Sequence, residues 1–521
     1  MKGLGRFLPI MVIVVLAIAL RVALLAADVV PFDGDEAVVA LMARHILQDG
    51  ERPIFFYGQA YSGALDAYLT AGVYALIGPR VLGGRLVQMA LFALYVVMVY
   101  LLAGRVTGSR WTASASALLV AASTPLLATY TLVSVGGYGE SLVLGTLILW
   151  LALRVTDDGA AIRPNLWAWV ALGAAGGLAF WVLGIAVVYL FPAALFILWR
   201  DRLRHWRLYV IAFVAFVVFS SPWWFYDFTH DHASVQFFTK TPGLKLDNPL
   251  IGLLFSLTVL WGMRFPWQAD LILVPFAVPL VALYVATFLY IVRPRQAEAR
   301  AAGRVLLLIQ AGLYAALFIS GRSGVDVTGR YLLPLVAVGA MFVAMLLGSI
   351  RREHPRLATV LLGYVAVFNL AATGLAACST PPGLTTVSMP IARFDNRSDA
   401  ALISFLADHG GTRGYSNFWV TYRIAFQSDE RIILAARLPY KENLEYWPSD
   451  AGYAPYNRAA DESATAVYVT TQHPRLDALL RERLTESGVT FLEQQIGPYR
   501  VFYDLSRKVL PIQVLPPTRA Q

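Results

Sequence analysis

Three carboxylates, Asp33, Asp35 and Glu36, stand in the stretch PFDGDEAVV, directly after an apolar run from Leu8 to Val30 that is long enough to cross a bilayer. Ionised groups are expensive at that depth, so each of the three needs a reason to be there. Asp33 suits the N-cap of a helix, and Glu36, three residues on, suits the reciprocal position of a capping box. Acids in a first turn also match the helix dipole. Asp35 has no such duty, and two readings of it stay open: a catalytic carboxylate, or one more capping or solvated acid. The residues that follow, Val38, Val39, Leu41, Met42, Ile46 and Leu47, predict the apolar side of a helix lying along the interface.

Other polar groups with chemical potential lie far apart in the chain. They are Tyr57, Gln59, Tyr61 and Asp66 before the second apolar run, Glu140 in SVGGYGE, then Asp227, His230 and Arg264, and Arg322, Asp326 and Arg330 in GRSGVDVTGR. Each also has a plain reading. Aromatic residues at an interface form belts, Glu140 can cap a helix, and arginines at span ends can anchor at the headgroups. Arg21, inside the first apolar run, is expected to snorkel or to pair internally. His230 and His232 flank Asp231, but one His-Asp-His in a loop reads as solvated before it reads as a metal site.

The elements that must position these groups are membrane spans. Of 521 residues, 58% are hydrophobic and only 14% charged, far from the balance of a soluble domain. Eleven spans are predicted, at about 8–30, 86–104, 112–133, 140–153, 166–181, 183–199, 208–226, 271–291, 305–320, 331–349 and 357–377. With the N-terminus inside, every short arginine-dense loop falls on the same side, among them WRDRLRHWR, RPRQAEARAAGR and RREHPR. That orientation makes the N-terminus cytoplasmic, the first run an uncleaved anchor, and the polar candidates residents of the outer face. The formal charge of +9 is explained by these loops, so no nucleic-acid partner is implied. The single cysteine, Cys378, excludes an intramolecular disulfide and a cysteine-rich metal site.

Residues 1–378 therefore read as a transmembrane module whose outer loop, 31–85, carries interfacial helices, and residues 379–521 as a small α/β domain outside the cytoplasm. A helix near 398–409, strands in TRGYSN, RIILAARL and TAVYVTT, a helix in RLDALLRERLTE and strands in VTFLEQQIGPYRVFYDL are expected there, with a loop from APYNR to ADES.

The stretch GDEAVVALMARHILQDGERPIFFYGQAYSGALDAYLTAGVYALIGP resembles the first outer loop of the glycosyltransferase C (GT-C) superfamily, closest to the branch of the protein O-mannosyltransferases and the lipid A aminoarabinose transferases. SSPWWFYDF, WGMRFPW and DVTGRYLLPL resemble later pieces of that branch, and RGYSNFWVTYRIAFQSDERIILA the soluble tail of bacterial members. The chain departs from the pattern at SGALDAYL, where aminoarabinose transferases usually have a lysine followed by two prolines.

The resemblance implies an inverting transfer of a sugar from a polyprenyl-phosphate donor to an acceptor hydroxyl on a protein, lipid or glycan, at the outer face of the plasma membrane. It implies Asp35 as general base, with Glu36 beside it. Arg330, Arg264 and Arg322 become the candidates for the phosphate, and Tyr57, Gln59, Tyr61, Asp66 and Glu140 for the substrates. No cofactor is implied, and dependence on a divalent metal stays open. A transporter or flippase, and a non-catalytic protein of surface-polymer assembly, are the rival readings.

Overall fold

The computed structural model describes residues 7–156, 165–240, 249–293, 301–320, 326 and 328–515. Contacts gather the chain into two units. One comprises Met1–Val29, Tyr61–Asp66 and Arg85–Cys378, and the other Val30–Ala60, Ala67–Gly84 and Ser379–Gln521.

The first unit is helical, and every one of the eleven expected spans falls on helix. Among the described residues, seven helices are long and apolar enough to cross a membrane: Leu8–Ala26, Val81–Thr107, Tyr138–Val155, Gly184–Asp201, Val274–Val292, Ala302–Ser320 and Pro355–Ala377. An eighth span results if Trp206–Phe219 and Ser221–Thr229, bent by 58°, are taken together. The count differs from eleven for local reasons. The 112–133 stretch is split into Arg110–Ala121 and Pro125–Tyr130, because Pro125 cannot continue a helix through its own N-terminal turn. Leu166–Val182 and Leu335–Ile350 have 17 and 16 residues, a rise of about 25 Å against the roughly 30 Å of a hydrocarbon core.

Glycines set the tightest helix contacts of this unit. In GAAGG, a Cβ on Gly173 would lie 2.0 Å from the Ala212 carbonyl oxygen, and one on Gly177 would lie 2.2 Å from that of Phe216, so the backbones of 166–182 and 206–219 touch directly. Arg21 turns inward. Its guanidinium lies 3.1 Å over the Phe92 ring and donates to Thr131 Oγ1 at 2.8 Å and Ser123 Oγ at 3.1 Å, which is the internal pairing expected of a charge within a span.

The second unit carries a five-stranded sheet, β1 Arg413–Ser416, β2 Ile433–Ala436, β3 Val467–Thr471, β4 Leu492–Ile496 and β5 Tyr499–Tyr503, in the order β2-β1-β3-β5-β4. The first three strands are parallel, and β5 and β4 close the sheet antiparallel. Helices Asp399–Asp408, Phe418–Gln427 and Pro474–Glu486 pack over it, burying Leu402, Leu406, Val420, Ile424, Leu476 and Leu480. The stretch expected to be a loop, APYNR to ADES, is instead the helix Ala454–Glu462, which starts with Pro at its favoured first-turn position and buries Tyr456 and Ala460.

Helix Gly34–Gln48 belongs to this second unit and packs on helix 418–427. Val38, Val39, Leu41 and Met42 are fully buried, so the apolar side expected to face an interface is covered by protein, and only Leu47 keeps a large exposed surface. Periodicity shows that a helix has an apolar side but not what covers it.

The glycine contacts give a test. Gly173→Leu should force the two backbones apart at a cost of about 1–3 kcal/mol or more. It should lower the melting temperature of the purified protein or abolish its monodisperse peak in size-exclusion chromatography. Gly363→Leu, where a Cβ meets nothing within 4 Å, should leave both unchanged. Equal behaviour of the two variants would show that the close approach is unimportant.

Candidate active site

In the second unit the three acids of DGDEA take different fates. Asp33 caps helix 34–48, its Oδ1 accepting the Glu36 backbone N–H at 3.1 Å, while its Oδ2 accepts the Thr386 hydroxyl at 2.8 Å. Asp33 and Glu36 are buried at 3% and 2% exposure, and Asp35 is half-buried. The Thr386 hydroxyl lies 3.5 Å from Asp35 Oδ2, so one threonine of the tail sits against both aspartates. Gly34 is the hinge of this arrangement. A Cβ there would come within 3.1 Å of the Trp419 Cα and of the Phe418 ring, so the acids are seated directly on helix 418–427.

That helix brings aromatic residues to the same neighbourhood. Trp419 meets Tyr440 edge-on, with ring centroids 6.0 Å apart, and the Tyr422 hydroxyl donates to the Asp450 carbonyl oxygen at 2.9 Å. The turn that holds Asp450 is pinned a second time by glycines. Gly58 has φ +80°, and a Cβ on it would lie 2.3 Å from the Ser449 carbonyl oxygen and 2.8 Å from the Gly452 Cα. Burial pushes the Tyr440 hydroxyl above its ordinary pKa, with the Asp450 and Asp35 charges adding to the shift. Burial also pushes the Asp450 carboxyl up to about 7. Asp450 was not foreseen. Its only local signal is the turn sequence WPSDAG, and its burial depends on contacts made far away in the chain.

Tyr57 is occupied by its own unit. Its hydroxyl donates to Glu51 at 2.6 Å and lies 2.9 Å from His45 Nδ1, its ring stacks on Tyr453 at 4.4 Å, and His45 Nε2 reaches Glu430 at 3.0 Å. Gln59 is half-buried, its backbone N–H donating to the Phe56 carbonyl.

In the first unit Tyr61 stacks on Phe237 at 4.1 Å. Asp66 is buried at 1% exposure, and its Oδ1 accepts from Ser134 Oγ at 2.6 Å and Gln88 Nε2 at 3.1 Å. Glu140, buried in the first turn of helix 138–155, lies within electrostatic reach of Asp66, and among the described residues neither of its carboxylate oxygens has a hydrogen-bond partner. Asp227 ties its own loop, accepting from the Val235 backbone N–H at 3.0 Å and contacting His232 at 2.9 Å.

The arginines differ in kind. Arg264 donates through Nη2 to the Phe255 carbonyl at 3.1 Å and through Nη1 to that of Gln268 at 3.4 Å, and it is 5% exposed. Arg330 donates through Nε to Asp326 Oδ2 at 2.6 Å, its side chain is 40% exposed, and Tyr130, Tyr138 and Tyr331 lie within reach of its charge. Both arginines are seated on one helix, since the turn before Arg330 is fixed by the Ser256 hydroxyl donating to the Asp326 carbonyl at 3.1 Å, next to Phe255. Arg322 lies outside the described residues.

Residues 63–225 match the family described as dolichyl-phosphate-mannose-protein mannosyltransferase. Over 220 residues the chain is 27% identical to undecaprenyl phosphate-alpha-4-amino-4-deoxy-L-arabinose arabinosyl transferase 1 of Pseudomonas fluorescens. That match covers 38% of this chain and 39% of the relative, so it spans well under half of each. Among solved structures, ArnT from Cupriavidus metallidurans bound to undecaprenyl phosphate is similar with a TM-score of 0.58 at 14% identity, covering 94% of this chain and 97% of that one. Its apo state gives 0.59. The archaeal oligosaccharyltransferase AglB from Archaeoglobus fulgidus, in complex with an inhibitory peptide and a dolichol-phosphate, gives 0.57 at 12% identity, covering 90% of this chain and 69% of that one. The fold is the GT-C fold of a multi-pass membrane protein, and the sequence matches lie in the branch of the mannosyltransferases and aminoarabinose transferases.

The raised Asp450 carboxyl carries a sign. An acid whose pKa rises on folding, here from about 3.9 in an unfolded chain to about 7, contributes stability that is fully present below the lower value. That contribution is lost as pH rises through the upper value. Relative to Asp450→Asn, the melting temperature of the native protein should fall between about pH 4 and about pH 7 and run parallel above that window. A difference between the two proteins that does not vary with pH would show that this carboxyl does not titrate in a buried setting.

Proposed function

We propose that, with the GT-C fold as its scaffold, this chain transfers a sugar from a polyprenyl-phosphate donor to an acceptor hydroxyl with inversion, Asp35 acting as general base and Arg330 binding the leaving phosphate. One observation carries the reading. Of the three acids in DGDEA, Asp33 is committed to the helix cap and to Thr386 and Glu36 is buried, while Asp35 is half-buried with its Oδ2 3.5 Å from the Thr386 hydroxyl, which supports it as the group for proton transfer. Solved structures that share the fold carry the names of transferases, and two of them hold a lipid phosphate, which supports this reading over a transporter.

Arg330 suits the phosphate better than Arg264 does. The Nε of Arg330 is taken by Asp326, and its terminal nitrogens make only a 3.4 Å contact to the Tyr331 hydroxyl, whereas both terminal nitrogens of Arg264 already serve backbone carbonyls. The phosphate gains charge as the glycosidic bond breaks, so a cation fixed beside it stabilises the transition state more than the ground state. Glu140 and Asp66 are proposed to orient the substrates. Arg322, for which sequence alone speaks, remains a candidate for steering the phosphate. The arginine-dense loops support a cytoplasmic N-terminus in the inner membrane and a tail outside.

The catalytic roles are tested in an assay of the purified protein with synthetic polyprenyl-phosphate sugars. Asp35→Asn should cut turnover by about 10² or more with donor affinity kept, the scale of a lost general base. Arg330→Ala should weaken undecaprenyl-phosphate binding by about tenfold or more and also slow transfer, with Arg330→Lys restoring only part, since a point charge does not reproduce a two-bond contact. Near-normal turnover of Asp35→Asn would remove the base assignment, and unchanged affinity in Arg330→Ala would reduce that arginine to an anchor. For the orientation, a reporter fused after Gln521 should be active only outside the cytoplasm, and a cytoplasmic signal would reverse the topology.

A further inference from the structure

Asp450 differs from three of the other buried acids of its unit. Asp33 caps a helix, Asp399 pairs with Arg423 at 2.9 Å, and Asp477 pairs with Arg500 at 3.2 Å. Asp450 is 9% exposed, yet among the described residues its carboxylate has no hydrogen bond and no ion pair. An acid buried without a partner is costly, and a leucine or asparagine there would avoid that cost. Among the described residues its carboxylate caps no helix and joins no hydrogen-bond network.

Two further polar groups stand unpartnered beside it. The Trp419 indole N–H is buried and, among the described residues, meets no acceptor, and Tyr440, 6% exposed, makes no hydrogen bond through its hydroxyl among the described residues, although that oxygen is not fully buried. Trp419 and Tyr440 are in ring contact, and Trp419 is seated under Gly34, next to Asp35. Asp450 and Asp35 both act on the Tyr440 hydroxyl electrostatically, which puts the phenol within range of the two carboxylates. The fold holds each group in place from outside: Tyr422 and Gly58 fix the Asp450 turn, and Phe418 and Gly34 fix Trp419.

We propose that Asp450, the Trp419 indole N–H and the Tyr440 hydroxyl form an acceptor subsite next to Asp35, and that it takes the hydroxyl edge of an uncharged sugar. The inference rests on Asp35 as the base. An acceptor, a donor and a group that does both match the mixed hydrogen-bonding of neighbouring sugar hydroxyls. Charge decides against an anionic acceptor. Lys441, whose charge reaches Asp450, is paired with Glu445 at 2.9 Å, and Arg437 with Asp461 at 2.6 Å, so a phosphate or carboxylate would meet the Asp450 charge with no cation left unpaired beside it. Trp447, 41% exposed with the Lys441 ammonium 3.5 Å over its ring, adds an aromatic surface in the same segment.

The experiment uses the full chain in lipid nanodiscs, with methyl β-D-glucopyranoside and methyl α-D-mannopyranoside as neutral probes and glucose 6-phosphate as the anionic one, read by saturation-transfer NMR. Undecaprenyl-phosphate affinity is measured in parallel as a check on folding. The wild-type protein should bind a neutral pyranoside at least about tenfold more tightly than glucose 6-phosphate, and Asp450→Asn should weaken the pyranoside by about tenfold, the scale of a lost hydrogen bond to a charged group. Tyr440→Phe, which removes one oxygen, should weaken it by about threefold. The proposal is overturned if no neutral pyranoside binds, if glucose 6-phosphate is preferred, or if Asp450→Asn and Tyr440→Phe both bind as wild type while undecaprenyl-phosphate affinity is kept. Normal transfer by Asp35→Asn would remove the base assignment alone, because the pyranoside measurements do not depend on turnover.

Discussion

The Asp33 carboxylate makes two bonds at once, and the placement of the acids depends on it. Through Oδ1 it satisfies the orphan N–H of Glu36 at the start of helix 34–48, a cap of about 1 kcal/mol. Through Oδ2 it accepts the hydroxyl of Thr386, 353 residues further along the chain. A carboxylate shared between a helix end and a distant threonine fixes that end against the tail, so Gly34 and Asp35 inherit a defined position. A Cβ on Gly34 would stand 3.1 Å from the Trp419 Cα, so a side chain there would have to push the tail back by a few tenths of an ångström. Asp35 is left half-buried, its Oδ2 3.5 Å from the same threonine hydroxyl.

That division of labour was half visible in the sequence. The spacing of Asp33 and Glu36 marked a helix start, and Asp35 stood out because capping had no use for it. The spans were legible because the bilayer demands an apolar run of a certain length, and the tail strands because they are apolar and bounded by turns. What could not be read were pairings across hundreds of residues. Nothing near His45 announces Glu430 and Tyr453, nothing near Val38 announces that helix 418–427 will cover it, and Asp450 sits in an ordinary Pro-Ser-Asp turn. The helix 454–462 was missed because APYNRAADE has a polar composition that passes for a loop. Its helical character comes from the proline at its start and the burial of Tyr456 and Ala460.

The buried charges of the first unit show how partner type separates structural arginines from available ones. Arg21 is held by two hydroxyls and an aromatic face, and Arg264 by two carbonyls and the Phe255 ring. In both, the guanidinium serves to satisfy neutral groups that would otherwise be stranded, and moving it would leave them unpaired. Arg330 is held by a carboxylate, and only through Nε.

Asp326 is itself fixed, its Oδ1 accepting the Thr328 backbone N–H at 2.9 Å, so it acts as a rigid bracket that aims the guanidinium and keeps its charge compensated. The planar end of the side chain, where two nitrogens can bind two oxygens of one phosphate, makes only a 3.4 Å contact to the Tyr331 hydroxyl among the described residues. A carboxylate bound through Nε leaves the proposed anion role of the terminal nitrogens possible, and it compensates the cation when no anion is bound. Under the proposed role of Arg330, Asp326 is then the group that holds the arginine in place as well as its ion-pair partner.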